Sequence, residues 1–237
     1  MKVSLINHTP CPEKTVEASA KLCYSPDTIS NVCEKTKGQN GKSLSRPKGE
    51  NFLKNILDRG HHSVLEHAVF TFGAEGISRA CSHQLVRHRL ASYSQQSQRY
   101  VKLFDNFTYI TPPSIKKHKE TESIYHKGIK NIHKIYKDLI ETGIEPEDAR
   151  YILPSAAETK IIISMNAREL LHFFKLRCCL RAQWEIQGLA MEMLKLVKKA
   201  APVIFTSAGP SCITGKCPEG KESCGREKEI KAVFKKL

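Results

Sequence analysis

The sequence predicts a mixed α/β protein of the α+β type, built as a single domain over residues 1–237. Three observations carry this. Short apolar stretches suited to strands, such as KVSLI, AVFTF and TKIIISM, are interspersed with longer segments whose apolar residues recur every three or four positions. No internal repeat or convincing linker divides the 237 residues, a length that can bury a sizeable core. Apolar residues make up 40% and charged residues 26%, an ordinary balance for a globular chain.

The elements follow in order. Residues 2–6 read as a short strand, and 15–24, with Ala18, Ala20 and Leu22, as a short helix. Residues 34–50, EKTKGQNGKSLSRPKGE, are almost free of apolar residues and predict a mobile loop. In NFLKNILD, Phe52, Leu53, Ile56 and Leu57 share a helical face. Ser63 and Glu66 have capping-box spacing, and AVFTF after them reads as a strand. Residues 77–86 space Ile77, Ala80, Cys81, Gln84 and Leu85 as a helix would. FTYITPP is an extended segment stopped by prolines. A long helix over 123–141 ends at Gly143, and EPEDARYILP starts a short one at Pro146. TKIIISM predicts a buried strand. NARELLHFFKLR predicts a helix with Asn166 as N-cap and Glu169 three residues on. Residues 182–200 form a helix with Ile186, Leu189, Ala190, Met193, Leu194 and Val197 as its core stripe.

No apolar run reaches the roughly 18 residues that span a bilayer, and MKVSLINHTPCPEK lacks a leader's apolar region. A cytoplasmic protein without a membrane partner is expected. Nine cysteines, an odd number in a chain of this size, predict reduced thiols. The net charge of +14 favours anionic partners: nucleic acid, anionic lipid or phosphorylated small molecules.

The segment RHRLASYSQQSQRY, residues 87–100, concentrates donors. Arg87, His88 and Arg89 are consecutive cations, which repel unless an anion or carboxylate lies between them. Arginine forks, serine hydroxyls and backbone N–H groups together can cradle a phosphate. Composition alone leaves it a polar surface loop or an anion-binding loop. Its spacing is R-H-R-x7-S, which resembles the signature of the flavin-dependent thymidylate synthases. GHHSVLEHAVFTF, ARYILP, NARELLHFF and LRxxxxAQWEIQ resemble further segments of that family, in family order across about residues 51–190.

The resemblance implies a homotetramer whose subunits are mixed domains, each a twisted, largely antiparallel sheet surrounded by helices. It implies methylation of dUMP to dTMP, with 5,10-methylenetetrahydrofolate as carbon donor and FAD reduced by NADPH as hydride source. Tetrahydrofolate would be released, and active sites would be shared between subunits. By motif position, Arg87, His88, Arg89, His61, Ser63, Asn166, Ala167, Arg168 and His172 would contact FAD, with Gln95 bordering both ligands. Gln84, Leu85, Val86 and Arg87, then Gln95, Gln96, Ser97, Gln98 and Arg99, would line the dUMP site together with Arg150. Ser97 and Arg99 would hold the phosphate. Arg177 would face the uracil edge as the catalytic residue, stabilising the ionised ring and pushing electron density to carbon 5. His61 is taken over His62 because it follows Gly60 directly. Gln95 stands where some members have glutamate, and His172 where asparagine can occur.

Other readings compete. A Ser97 nucleophile needs an adjacent base, and the sequence offers no Ser/His/Asp arrangement, so phosphate binding is favoured. Cys178 and Cys179 read as buried structural thiols. His61, His62 and His67 lack the H-E-x-x-H spacing. Cys212, Cys217 and Cys224, at C-x4-C-x6-C, lack a C-x2-C pair and give only a weak zinc signal, so no metal is expected. The rival function is a basic nucleic-acid-binding module. It predicts salt-sensitive binding and a colourless protein, whereas the enzyme reading predicts a yellow one and no nucleic-acid partner.

Overall fold

The computed structural model describes residues 1–36, 47–104 and 107–237. Its strands are β1 (Lys2–His8), β2 (Val69–Ser78), β3 (Ala91–Gln95) and β4 (Glu158–Asn166). They form one open antiparallel sheet in the order β1-β2-β4-β3. The helices are α1 (Pro12–Leu22), α2 (Ile29–Thr36), α3 (Pro47–Asp58), α4 (Arg79–Leu85) and α5 (Pro113–Lys116). They continue with α6 (Lys119–Glu141), α7 (Pro146–Ala149), α8 (Ala167–Arg177), α9 (Trp184–Ala200) and α10 (Glu227–Phe234). The mixed α/β class expected from the sequence is what forms.

The chain divides into two compact units, neither continuous in sequence. The first comprises Met1–Lys2, Ala74–Arg87 and Tyr93–Ile162. In it, α6 packs on α5, α7 and the 3-10 turn Arg150–Ile152. Ser78 starts α4, its Oγ accepting the Cys81 N–H at 3.0 Å. Gly143, at φ +91, takes the left-handed turn after α6 that a side chain would resist.

The second unit comprises Val3–Gly73, His88–Ser92 and Ile163–Leu237. Here α1 packs on α2, α3 and the 3-10 turn His62–His67, and α8 packs on that turn and on α9. Asn166 caps α8, its Oδ1 accepting the Glu169 N–H at 2.9 Å. Gln183 caps α9 by accepting from the N–H groups of Glu185 and Ile186. All six residues of the expected α9 stripe are fully buried. Each large side chain among them contributes roughly 1.5–3 kcal/mol by leaving water. Glu13 of α1 is buried too, and its carboxylate accepts the Val203 N–H at 2.6 Å, tying the segment after α9 back to α1.

Three stretches differ locally from the sequence reading. Ser63 lies inside a 3-10 turn rather than capping an α-helix, and Glu66 pairs with Arg168 instead of closing a capping box. The expected loop at 34–50 is helical at its described flanks, 34–36 and 47–50, while 37–46 lie outside the described residues. TKIIISM is buried on one face only: Thr159, Ile161, Ile163 and Met165 are buried while Ile162 is 47% exposed. In the cysteine-bearing tail from about residue 205, α10 seats Ile230 in the interior.

Candidate active site

In the second unit, His88, the middle residue of RHR, is buried against α8. His88 is 5% exposed. Its Nδ1 lies 3.0 Å from Glu169 Oε1, and its Nε2 accepts the Nε–H of Arg177 at 3.1 Å. Arginine can only donate, so Nε2 carries no proton. The ring proton therefore sits on Nδ1 and is donated to the Glu169 carboxylate. Glu169 and Arg177 occupy opposite ends of α8, so one helix holds both partners of His88. Phe173, between them, sets its ring edge-on to His88 at 4.9 Å. Burial, the largest influence, depresses the His88 pKa, and Arg177 acts in the same direction while Glu169 opposes. The imidazole is thus neutral at neutral pH. With Nε committed to His88, the two terminal nitrogens of Arg177 have no protein partner among the described residues. They form a two-pronged donor oriented from behind.

His172 lies beside this group, its ring 5.8 Å from His88. It also lines a cavity of about 850 Å³ with Lys54, His62, Arg168, Lys175 and Ser207. That volume accommodates a large cofactor, and its cations suit a pyrophosphate. Of the paired histidines, His62 lines the cavity, whereas the His61 ring stands edge-on to Tyr24 at 6.2 Å. Ser63 and Arg89 are exposed. Asn166 caps α8, and Ala167 is fully buried, so it can offer only main chain. Arg168 is half-exposed and paired with Glu66.

The first unit gathers most of the nucleotide set. Gln84, Leu85, Val86 and Arg87 form the end of α4 and the turn after it. Leu85 is fully buried and its carbonyl accepts the Tyr93 hydroxyl, while Val86 and Arg87 are exposed. Gln95 ends β3, an edge strand that the sequence did not reveal, and its amide donates to Ser82 Oγ (2.9 Å) and Thr159 Oγ1 (3.0 Å). Gln96, Ser97 and Gln98 follow, half-buried. Ser97 Oγ accepts the Arg99 N–H at 3.1 Å, and the Arg99 guanidinium pairs with Glu147. Arg150 sits in the next turn, where its Nε donates to the Glu147 carbonyl. Burial lowers the Arg79 pKa, and neighbouring Arg150 lowers it further. Two like charges in proximity favour an anion beside them.

Several of these residues escaped the sequence reading. Glu169 showed only as a capping-box position, and its partner His88 lies 81 residues away. Glu147 and Arg79 gave no signal. His62 was adjacent to the residue preferred. Cys178 is buried, its thiol pushed up to about 12 by desolvation, whereas Cys179 is partly exposed. Among the described residues no three His, Cys, Asp or Glu side chains stand together as a metal site, and no helix is long and apolar enough to cross a membrane.

A carboxylate–imidazole–guanidinium chain and a cofactor-sized cavity in the second unit, with clustered arginines in the first, are features suited to an enzyme that takes anionic ligands. Comparison with known proteins narrows the class. The family profile described as thymidylate synthase complementing protein matches residues 4–203. A flavin-dependent thymidylate synthase of Geobacter sulfurreducens is 52% identical over 238 residues, covering 100% of this chain and 99% of the relative. One of Clostridium tetani is 50% identical over 250 residues, covering 99% and 97%. One of Pyrococcus abyssi is 44% identical over 227 residues, covering 92% and 90%. The chain belongs to the thymidylate synthase complementing protein family.

Proposed function

We infer that this chain is a flavin-dependent thymidylate synthase that reductively methylates dUMP to dTMP. The observation that carries this reading is the end-to-end likeness to relatives of that activity, at 52% and 50% identity. FAD reduced by NADPH supplies the hydride, and 5,10-methylenetetrahydrofolate supplies the carbon and leaves as tetrahydrofolate.

The chain's own residues divide the remaining work. Arg177 presents its two free nitrogens to the uracil N3 and an adjacent carbonyl oxygen. It stabilises the ring's ionised form, which makes carbon 5 the nucleophile. His88 and Glu169 fix the plane of that guanidinium from behind. Arg168, His172, His62 and the neighbouring cavity hold FAD, with Asn166, Ala167, Ser63, His88 and Arg89 of the same unit bordering it; the family likeness adds His61, Arg87 and Gln95. Ser97, Arg99 and Arg150 take the dUMP phosphate, with Gln84, Leu85, Val86, Arg87, Gln95, Gln96 and Gln98 around the nucleotide. Phosphate binding requires Arg99 to exchange Glu147 for the ligand. Both ring nitrogens of His88 are engaged within the second unit, which argues against its serving as a base for Ser97.

The working form is one catalytic domain per chain in a cytoplasmic homotetramer. Large apolar side chains stand in water beside the assigned residues: Leu90 (70% exposed) after Arg89, Tyr100 (79%) after Arg99 and Tyr151 (85%) after Arg150. Neighbouring copies covering them would complete shared sites.

The test is anaerobic incubation of the flavin-loaded protein with dUMP, 5,10-methylenetetrahydrofolate and NADPH. The reading predicts dTMP. Folded, flavin-loaded protein that makes none contradicts it. Light scattering reads the assembly independently.

A further inference from the structure

Four of the nine cysteines line one cavity of about 310 Å³ in the second unit: Cys179, Cys212, Cys217 and Cys224. Along the sequence, the tail shows three thiols with no fourth. The fold supplies Cys179 from the end of α8, before α9 begins. All four are free thiols, and Cys212 is the buried one. Lys175 and Arg181 line the same cavity. They would balance the negative charge that four thiolates concentrate around a divalent ion or cluster.

We propose that Cys179, Cys212, Cys217 and Cys224 are the ligands of a thiolate-bound metal centre, a zinc ion or an iron–sulfur cluster, that fastens the C-terminal segment to the end of α8. Four cysteine thiolates are the ligand set that both kinds of centre take. As the side chains stand, no three are drawn to metal-binding distance, so ligation closes the thiols onto the cavity between them. Cys212 lies in the short 3-10 turn Ser211–Ile213, while Cys217 and Cys224 flank the turn Gly220–Glu222, outside any α-helix. The Cys217 N–H already leans on Glu227 Oε1 at 3.3 Å, which holds that loop against α10. Arg177 borders the cavity, so the centre would steady the turn that follows the arginine.

Zinc, iron and acid-labile sulfide per chain, measured on anaerobically purified and desalted protein, test this. Elemental analysis is needed because bound flavin masks cluster absorbance. The wild type should carry about one zinc, or iron with matching sulfide, per chain. The two arms distinguish the centres. Cys212→Ser and Cys224→Ser should each lose the metal, whereas Cys33→Ser, in α2, should keep it. Where those variants fail to fold, chelation of the wild type should strip the metal and lower Tm by several degrees. Wild type without stoichiometric metal overturns the proposal, whether its four thiols are free or paired in disulfides. So does metal that persists in both tail variants, or an unchanged Tm after stripping.

Discussion

Replacing Glu169 by glutamine removes one negative charge from a buried chain of three side chains while keeping its shape. In the wild type, Glu169 accepts the Nδ1 proton of His88, and Nε2 is left to accept from Arg177. A hydrogen bond to a buried charged acceptor is worth about 1.5–3 kcal/mol, and a neutral one about 0.5–1.5 kcal/mol. The charge therefore contributes about 1–2 kcal/mol of orientation, roughly 5–30-fold in kcat if it acts only at the transition state. The amide brings a second effect, because its NH₂ can donate to Nδ1 and drive the ring proton onto Nε2. Two donors, Nε2–H and the Arg177 Nε–H, would then face each other. The assay is anaerobic dTMP formation, with kcat separated from the KM for dUMP. Flavin occupancy and Tm control for folding, and nitrogen NMR of His88 reads the tautomer. kcat should fall while KM and flavin occupancy hold, with the proton moved to Nε2. A kcat within about twofold of wild type, with the tautomer unchanged, would refute a positioning role for Glu169.

Arg177→Ala should lower kcat by roughly 100–1,000-fold, the scale of losing one preorganised donor site, while FAD stays bound; near-normal turnover removes its role. Ser97→Ala should raise the KM for dUMP and leave measurable kcat, whereas lost turnover at normal dUMP affinity would revive the nucleophile. Folding also carries a proton linkage at His88, whose folded pKa lies below its ordinary 6.5 because of burial. Below pH 6.5 the unfolded chain takes a proton that the folded chain refuses, so stability falls as pH drops toward the folded value, and is fully present above 6.5. The Tm–pH slope on the acid side should flatten in His88→Gln; an unchanged slope contradicts the linkage.

The parts of the fold legible in the sequence were those with strong local signals. The α9 stripe was readable because a single helix face supplies six buried residues. The α8 cap was readable because Asn166 and Glu169 are three apart. β3 was hidden because ASYSQ, at the sheet edge, alternates half-buried with exposed residues and has no apolar face to betray it. The candidate site stood out as a family motif, but the contacts that support its side chains did not. RHR and Arg177 stand out by pattern, yet the Glu169–His88 contact spans 81 residues and the Arg99–Glu147 pair spans 48. Cys179 could not be joined to the tail cysteines by spacing, because α9 intervenes.

The fate of the folate tests the central claim most directly. Single-turnover reaction of the reduced, flavin-loaded protein with dUMP and 5,10-methylenetetrahydrofolate should yield dTMP and tetrahydrofolate in equal amounts. Dihydrofolate as the co-product would mean that the folate, not the flavin, gave the hydride, and would contradict the account.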